Sequence, residues 1–412
     1  LPGIQQTGQS PYGKLVNTGY ERDFETTLQS TAGFKWDMHH FLKGLSSRVR
    51  LSFDNVNYRN VTRSLDGSYY QYNLKDGIKA DTVTDLYLDG EYSTIYSGTG
   101  TLGYTVAANG TRRTTLEGYL NYDNSFGKHS VHAVVVYNQS SYFADISSGQ
   151  ANAVNGLPYK YDGIVGRVSY NYDDRYLLEL DAGYNGSENF MAGHRLGFFP
   201  AVSGGWVLSK EKFVKDNPGL DFITNLKIRG SYGMVGNDQL NSTRFLYLSY
   251  WTITGGGYTF GANKDGSSYS GAYETQAGDP GTTWEKSHNA DVGLDMSLWN
   301  DGLNITADYF YNHRTDVLLT SLLIPATLGL TSYPPTNGGI INNKGFEFSI
   351  EHRKNFGKQG YDIRFNASYN RNKIVYYAEP KHSAVPWQQM TGTEVGELYG
   401  YTALGLFKDK DD

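Results

Sequence analysis

The sequence predicts an all-β fold, a transmembrane antiparallel β-barrel of which this chain supplies part. Three observations predict it: apolar and polar residues alternate in segment after segment, the connections alternate between short and long, and tyrosine gathers near strand ends. The 412 residues are 39% hydrophobic and 15% aromatic, with 49 Gly and 35 Tyr, and the mean hydropathy is -0.51. A barrel tolerates that polarity, because the half of each strand that faces the lumen is polar by construction. No apolar run approaches the roughly 18 residues of a spanning helix, so crossing by helices is excluded.

Alternation marks a strand with one oily and one wet face. In 161–172, Ile164, Val168, Tyr170 and Tyr172 share one parity and Arg167, Ser169 and Asn171 the other. Asp173-Asp174-Arg175 turns the chain, and Tyr176, Leu178, Leu180, Ala182 and Tyr184 return opposite Glu179 and Asp181. The same grammar runs through 289–312 about an Asn300-Asp301-Gly302 turn, and through 345–370, where Phe346, Phe348 and Ile350 alternate with Glu347, Ser349 and Glu351. Asp-Gly suits a turn that needs positive φ. Less regular versions occupy 24–36, 45–54, 114–122, 129–143, 195–208 and 223–236. The total is about a dozen strands, and up to about 15 if 85–105, 242–254 and 395–407 also pair.

Connections after odd strands are short, as at 125–128, 173–175 and 300–302, with somewhat longer ones at 38–44, 209–222 and 354–360. Those after even strands, about 60–110, 144–160, 237–281 and 320–338, are long and rich in Gly, Ser, Asn and Tyr. A β-sandwich has no reason to sort its loops by parity, whereas an outer-membrane barrel has short periplasmic turns and long extracellular loops. Mid-strand charges such as Glu179, Asp181, Asp295, Glu347 and Arg364 suit a water-filled lumen, although the solvent side of a soluble meander also accepts them. Tyr170, Tyr172, Tyr176, Tyr184, Tyr309, Tyr311, Tyr361 and Tyr369 suit two aromatic girdles at headgroup level, with cross-strand packing as the plainer explanation.

Several classes fall away. There is no cysteine, which removes disulfides, thiol catalysis and Cys-based zinc sites. A net charge of -6 and pI near 5.9 give no basic face for nucleic acid. The opening Leu1-Pro2-Gly3-Ile4-Gln5-Gln6 has none of the regions of a signal peptide, so the expectation is that export processing preceded it or that it lies inside a longer chain.

Several stretches resemble the SusC-like family, the TonB-linked outer-membrane transporters of Bacteroidetes. They are Gly166-Arg167-Val168-Ser169-Tyr170-Asn171-Tyr172 with Arg175-Tyr176, the run from Arg195 through Phe198-Phe199-Pro200 to Gly204-Gly205-Trp206, and Leu226-Lys227-Ile228-Arg229-Gly230-Ser231-Tyr232-Gly233 with Gly236-Asn237. Trp284-Glu285-Lys286, Asn343-Lys344-Gly345-Phe346-Glu347, and Gly400-Tyr401 with Gly405-Leu406-Phe407 follow in the family's order. The resemblance covers the chain clearly from about residue 111 to its end, and less closely from its start. It implies a barrel of about 22 strands, with 1–412 as one partial barrel domain and with the N-terminal plug and the C-terminal closing strands absent. It also implies TonB-energised uptake of oligosaccharides, or else oligopeptides, with a SusD-like surface lipoprotein and the TonB complex as partners and outer-membrane lipid around the wall. Locally, Phe198-Phe199-Pro200 predicts a strand start or bulge, and Gly204-Gly205 a bend.

Other motifs are set aside. Gly98-Thr99-Gly100-Thr101-Leu102-Gly103 fits the dinucleotide pattern but has no βαβ unit around it. His39-His40 lacks a carboxylate at ligand spacing and reads as a polar turn. Asn60-Val61-Thr62, Asn138-Gln139-Ser140 and Asn304-Ile305-Thr306 are chance glycosylation matches. The tail with Asp409, Asp411 and Asp412 precedes a segment that in the family resembles a calcium loop; without that loop no metal or other cofactor is assigned. No catalytic constellation stands out, so an enzyme is not expected.

Ligand-binding candidates lie in the long loops: Tyr69, Tyr70 and Tyr72, then Tyr250, Trp251, Tyr258, Phe260, Tyr269 and Tyr273. Flat rings among hydroxyls and amides suit sugar faces or peptide backbones; packing of the loops is the plainer use. Rival readings are a secreted β-rich adhesin or carbohydrate-binding module, which folds without detergent, and a passive porin, whose gene encodes no plug.

Overall fold

The computed structural model describes residues 15, 18–74, 90–96, 98–145, 154, 156–239, 243–259, 268–320, 323–329, 335–381, 384–403 and 405. The strands are β1 (Gly19–Asp37), β2 (Leu45–Ser64), β3 (Tyr69–Leu74), β4 (Gly90–Tyr96), β5 (Thr105–Phe126), β6 (His129–Asp145), β7 (Tyr159–Tyr172) and β8 (Tyr176–Ser187). They continue with β9 (Leu196–Val207), β10 (Ile223–Asn237), β11 (Tyr250–Thr259), β12 (Ser268–Gln276), β13 (Glu285–Leu298), β14 (Leu303–Thr320), β15 (Pro335–Phe356) and β16 (Gln359–Tyr377). One 12-stranded antiparallel sheet takes the order β1-β2-β5-β6-β7-β8-β9-β10-β13-β14-β15-β16. The pairs β3-β4 and β11-β12 are separate two-stranded sheets. The sheet does not close: among the described residues β1 and β16 each have one strand neighbour.

Each dozen-strand expectation corresponds to one of these twelve. The turns use positive φ where expected at Asp173 and Asp174 (52° and 51°), Asn300 and Asp301 (53° and 62°), and Gly127 and Gly357 (61° and 64°), but Gly302 of the Asp-Gly pair does not, and the bulky Trp299 takes 53°. Short side chains and glycine accept that left-handed backbone at low cost. Short and long connections alternate along most of the sheet; the exception is β8 to β10, where the 188–195 link at the long-loop end is shorter than the 208–222 link at the other, which holds the four-residue helix α1 (Lys212–Lys215).

Four expectations need correction. Segments 85–105 and 242–254 contribute β4 and the start of β11, but these pair as loop hairpins and add nothing to the main sheet. Among its described residues 395–407 forms no strand; Gly396 and Gly405 at φ of 80° and 137° break the period-two path. Phe198-Phe199-Pro200 is neither a strand start nor a bulge. Strand β9 runs through it in unbroken register with β8, while its ladder with β10 reaches only the Gly233–Ala201 pair, so Pro200, which has no N–H to give, sits where pairing with β10 stops. Gly204 and Gly205 likewise stay in register on both sides. No bulge interrupts the ladders there; a Cβ on Gly205 would lie 3.1 Å from Lys227 Cε, so its absence makes room for that lysine stem.

The chain divides into two compact units. The first comprises Leu1–Ala32, Leu51–Thr115 and Ser141–Tyr159. It holds the β3-β4 hairpin, a Tyr58 hydroxyl donating to Asp23 at 2.5 Å, and Arg113 over the Tyr142 ring at 4.9 Å. The second comprises Gly33–Arg50, Leu116–Ser140 and Lys160–Asp412. Its buried apolar cluster is small: Phe190, Leu246, Trp284 and Leu318, with Phe199 against it. That cluster gathers where β8, β9, β13 and β14 meet their long connections, so the described residues contain no dry middle shared by two stacked sheets.

Candidate functional site

Cross-strand partners share a face of a sheet, so the register sorts side chains without further assumption. One row runs Tyr170, Leu178, Gly204, Gly230, Val292, Tyr309, Phe346, Tyr369. The next on that face runs Tyr172, Tyr176, Trp206, Ile228, Leu294, Ala307, Phe348, Ala367. Nothing in either row is polar beyond a tyrosine hydroxyl or an indole N–H. The rows are nevertheless bare: Val292 is 61% exposed and Phe346 51%. A long apolar face of this extent marks a surface that meets something other than water.

The apolar face has edges, and they slope. In β9 it runs from Trp206 to Phe198, and in β16 from Tyr361 to Tyr369, the same number of residues. The register places Trp206 in the row of Ala367, so the β16 stretch is displaced by about six residues over five strand steps. At about 3.3 Å per residue and about 4.8 Å per strand, that slip corresponds to a strand tilt of about 40°, inside the range of outer-membrane barrels. Aromatic rings line the lower edge, Tyr172 on Tyr176 at 6.2 Å and Tyr176 on Trp206 at 6.4 Å, both stacked. Tyr309 is an exception to the girdle expectation, lying inside the band.

The opposite face carries the charges. Arg229 contacts Asp291 and Asp295 at 3.2 Å each and Asp308 at 2.6 Å. Arg167 reaches Asp181 at 2.6 Å and Glu179 at 3.6 Å, and Ser169 donates to Glu179 at 2.8 Å. A depression of about 400 Å³ is lined here by His132, Glu179, Gly205, Lys227, Arg229 and Asp291. Ion clusters of this kind keep their hydration only against water, which makes this the wet side.

At the short-turn end, Lys128 bonds Asp173 at 2.9 Å and Lys210 bonds Asp174 at 3.1 Å. Lys128 holds the Asp173 carboxyl below the usual carboxylate range, and Asn171, then Lys210, do the same for Asp174. Glu211 is lowered by the hydroxyl of Tyr176 and the indole of Trp206, the latter donating at 3.1 Å.

At the long-loop end the buried cluster is fastened by polar side chains. Trp284 Nε1 donates to Arg195 O at 3.1 Å. Glu285, buried, accepts from Arg314 and from Leu318 N at 3.2 Å. Ser187 donates to Asp238 at 2.5 Å, Arg244 pairs with Glu188, and Asn337 bridges Thr283 and Asp316 at 2.8 Å each. These clamps were not identified from sequence. The only available signal was the adjacency of Trp284 and Glu285 at a strand start.

The loop aromatics fall on two hairpins. Tyr69, Tyr70 and Tyr72 lie on β3, opposite Tyr96, Thr94 and Tyr92 of β4. Tyr250, Trp251 and Tyr258 lie on β11, and Tyr269 and Tyr273 on β12; Phe260 lies outside the described residues, as do Asp409, Asp411 and Asp412. Tyr250 belongs to the scaffold: its hydroxyl donates to Arg244 O at 3.0 Å, and burial raises its pKa. Trp251, 62% exposed, pairs with Glu274, while Thr252 pairs with Tyr273. Trp251 and Tyr273 therefore occupy opposite faces of the hairpin. Tyr269 shares the Tyr273 face, since β12 is regular between them and the register shifts insert residues in β11.

His39 does have a carboxylate beside it, contrary to the spacing argument. Asp37 accepts from the His39 amide at 3.0 Å and lies 3.3 Å from its ring nitrogen. That is a turn contact, and no group of three metal-binding side chains occurs among the described residues.

A family model described as TonB dependent receptor-like, beta-barrel, matches residues 3–404. TonB-dependent receptor P3 of Formosa agariphila is 27% identical over 98% of this chain and 43% of its own length. TonB-dependent receptor SusC of Bacteroides thetaiotaomicron is 28% identical over 58% of this chain and 23% of its own length. The chain thus spans less than half the length of these relatives. The solved structure of the RagAB peptide transporter superposes with a TM-score of 0.63 at 17% identity, over 89% of this chain and 38% of that one, a likeness of fold.

Proposed function

Because the chain belongs to the TonB-dependent receptor-like β-barrel family, we propose that it forms part of the wall of an outer-membrane importer, energised through TonB, that takes up oligosaccharides or oligopeptides together with a SusD-like surface lipoprotein. On this reading the 12-stranded sheet is one arc of a barrel of about 22 strands. The plug and the closing strands belong to other parts of the same protein. No catalysis is assigned to the chain.

One observation carries the reading: the middle of one face of the sheet is uncharged and apolar while the other carries ion clusters. Uncharged apolar rows run across β7 to β16, edged by rings and tilted by about 40°, while Arg229, Asp291, Asp295 and Asp308 crowd the other side. A passive porin shares that separation, but the family match favours an energised receptor. A secreted adhesin or binding module has no use for a bare apolar face.

The aromatic hairpins are the proposed capture elements. Oligosaccharide is the first choice because flat rings beside hydroxyls and amides suit sugar faces; oligopeptide is the second. The test is uptake by cells carrying the full-length protein, supplied with labelled oligosaccharides or oligopeptides, with and without a SusD-like lipoprotein and with TonB disabled. Uptake should require both. Uptake indifferent to TonB overturns the energised reading, and uptake indifferent to the lipoprotein overturns the partnership.

A further inference from the structure

From β8 onward the charge on the apolar face is one-sided, whereas β7 carries Asp162 there, opposite Gly186. From β8 to β16, the charged residues whose register places them on the apolar face, above or below those two rows, are Lys286, Lys344, Lys354, Arg371 and Lys373, all cationic. Every carboxylate with a regular position in those strands, Glu179 and Asp308 among them, lies on the other face. The cations sit only at the rims. Lys286 is neutralised by Asp316 at 3.2 Å, and Lys354 lies at the short-turn end.

The remaining three converge. Lys344 is the direct cross-strand partner of Arg371, and Lys373 follows two residues on, opposite Asn342. Like charges placed directly opposite on a sheet destabilise it, so this arrangement calls for a counter-anion. Glu394 meets Arg371 at 2.8 Å, leaving an excess of positive charge; among the described residues Lys344 and Lys373 have no ion-pair partner. Tyr311 is the other cross-strand neighbour of Lys344. Immediately below, Phe346 and Tyr369, with ring centroids 5.7 Å apart, close the upper edge of the apolar band. The cluster therefore lies at headgroup level on the long-loop side, continuous with the face assigned to acyl chains.

We propose that Lys344, Arg371 and Lys373 form a seat for the headgroup phosphate of an outer-leaflet lipid whose chains lie along the Phe346–Tyr369 face. Anionic headgroups attract such basic groups at the membrane surface, and the lysine stems lie on apolar surface while their ends reach the interface. The seat rests on the proposal that this face meets lipid.

The test is native mass spectrometry of the full-length protein in mild detergent, with bisphosphorylated lipid A, the same lipid without phosphates, and inorganic phosphate as probes. The phosphorylated lipid should be retained about tenfold better than the dephosphorylated one, and millimolar phosphate should not displace it. Lys344→Gln with Lys373→Gln should abolish the preference, and Lys354→Gln at the other rim should keep it. Equal retention of the two lipids, or the same preference in the double variant, overturns the seat. Displacement by free phosphate makes it a soluble-anion site and overturns the lipid assignment. A spin label at Val292→Cys separates the two levels. Oxygen accessibility there without lipid preference rejects the seat alone, whereas accessibility to an aqueous nickel complex rejects the lipid-facing assignment itself.

Discussion

Phe199 and Trp284 meet edge to face with ring centroids 5.2 Å apart, and the phenyl ring lies so close to two glycines that a Cβ on Gly197 or Gly236 would overlap its Cζ. Both glycines are required for close approach rather than for an unusual backbone angle. The pair joins β9, β10 and the start of β13 at the long-loop end. It explains why Gly236 and Trp284, far apart in sequence, belong to one structural unit.

Gly236→Ala should therefore destabilise the full-length protein by about 1–3 kcal/mol through overpacking, measured by urea unfolding in detergent. In a Phe199→Ala background that cost should fall, since the two positions share a contact, with the remainder set by Trp284 Cε3, 2.9 Å from the added Cβ. Additive costs would show that the ring is not what excludes the methyl group.

The tilt places Val292 near the middle of the apolar band and His288, four residues nearer the long loops, at its rim. Val292→Arg should cost about 2–4 kcal/mol and His288→Arg about 0–1 kcal/mol, following the depth dependence of charges on the lipid side of a barrel. Folding into vesicles of neutral phospholipid, followed by denaturant titration, reads both. Equal costs would contradict the slope derived from the register.

Acid should loosen the short-turn end. The folded pKa of Asp173 is depressed chiefly by Lys128, that of Asp174 by Asn171 and Lys210, and that of Glu211 by Tyr176 and Trp206. Groups depressed in the folded state contribute stability above their ordinary values of 3.8 and 4.5 and lose it as pH falls through the lower folded values. The protection factors of the Arg175 and Glu211 amides should therefore fall below about pH 4 and stay flat between pH 6 and pH 8. In Lys128→Met the acid response of Asp173 should shrink, and an unchanged response would assign it elsewhere.

The two faces of the β11-β12 hairpin should separate functionally. Tyr269→Ala with Tyr273→Ala removes rings from one face and Trp251→Ala from the other. If one face captures a ligand, only one of these changes should weaken binding of an oligosaccharide or oligopeptide probe, by about 1 kcal/mol or more for a desolvated anchor, read by calorimetry on the full-length protein. Loss in neither returns the rings to packing.

Much of this was legible in the chain itself. Period-two alternation located the twelve strands of the main sheet, and Asp-Asp, Asp-Gly and Phe-Gly turns located their reversals, because side-chain direction and positive φ are local properties. The candidate site was less legible. Rings in Gly-rich loops were visible as composition, but whether they lie on one face or two depends on pairing that no local pattern states. Nor did Glu285 look different from any lumen-facing acid until its partners Arg314 and Leu318 were in place.

The sequence by itself determined which side of each strand is apolar, since adjacent residues must point to opposite faces. Only the tertiary structure decided how those faces line up. The register sets Trp206 beside Ile228, slopes the apolar band across β9 to β16 and brings Lys344 opposite Arg371. Register belongs to pairs of strands, fixed by hydrogen bonds between segments that may be distant in the chain, and so it is absent from any strand read alone.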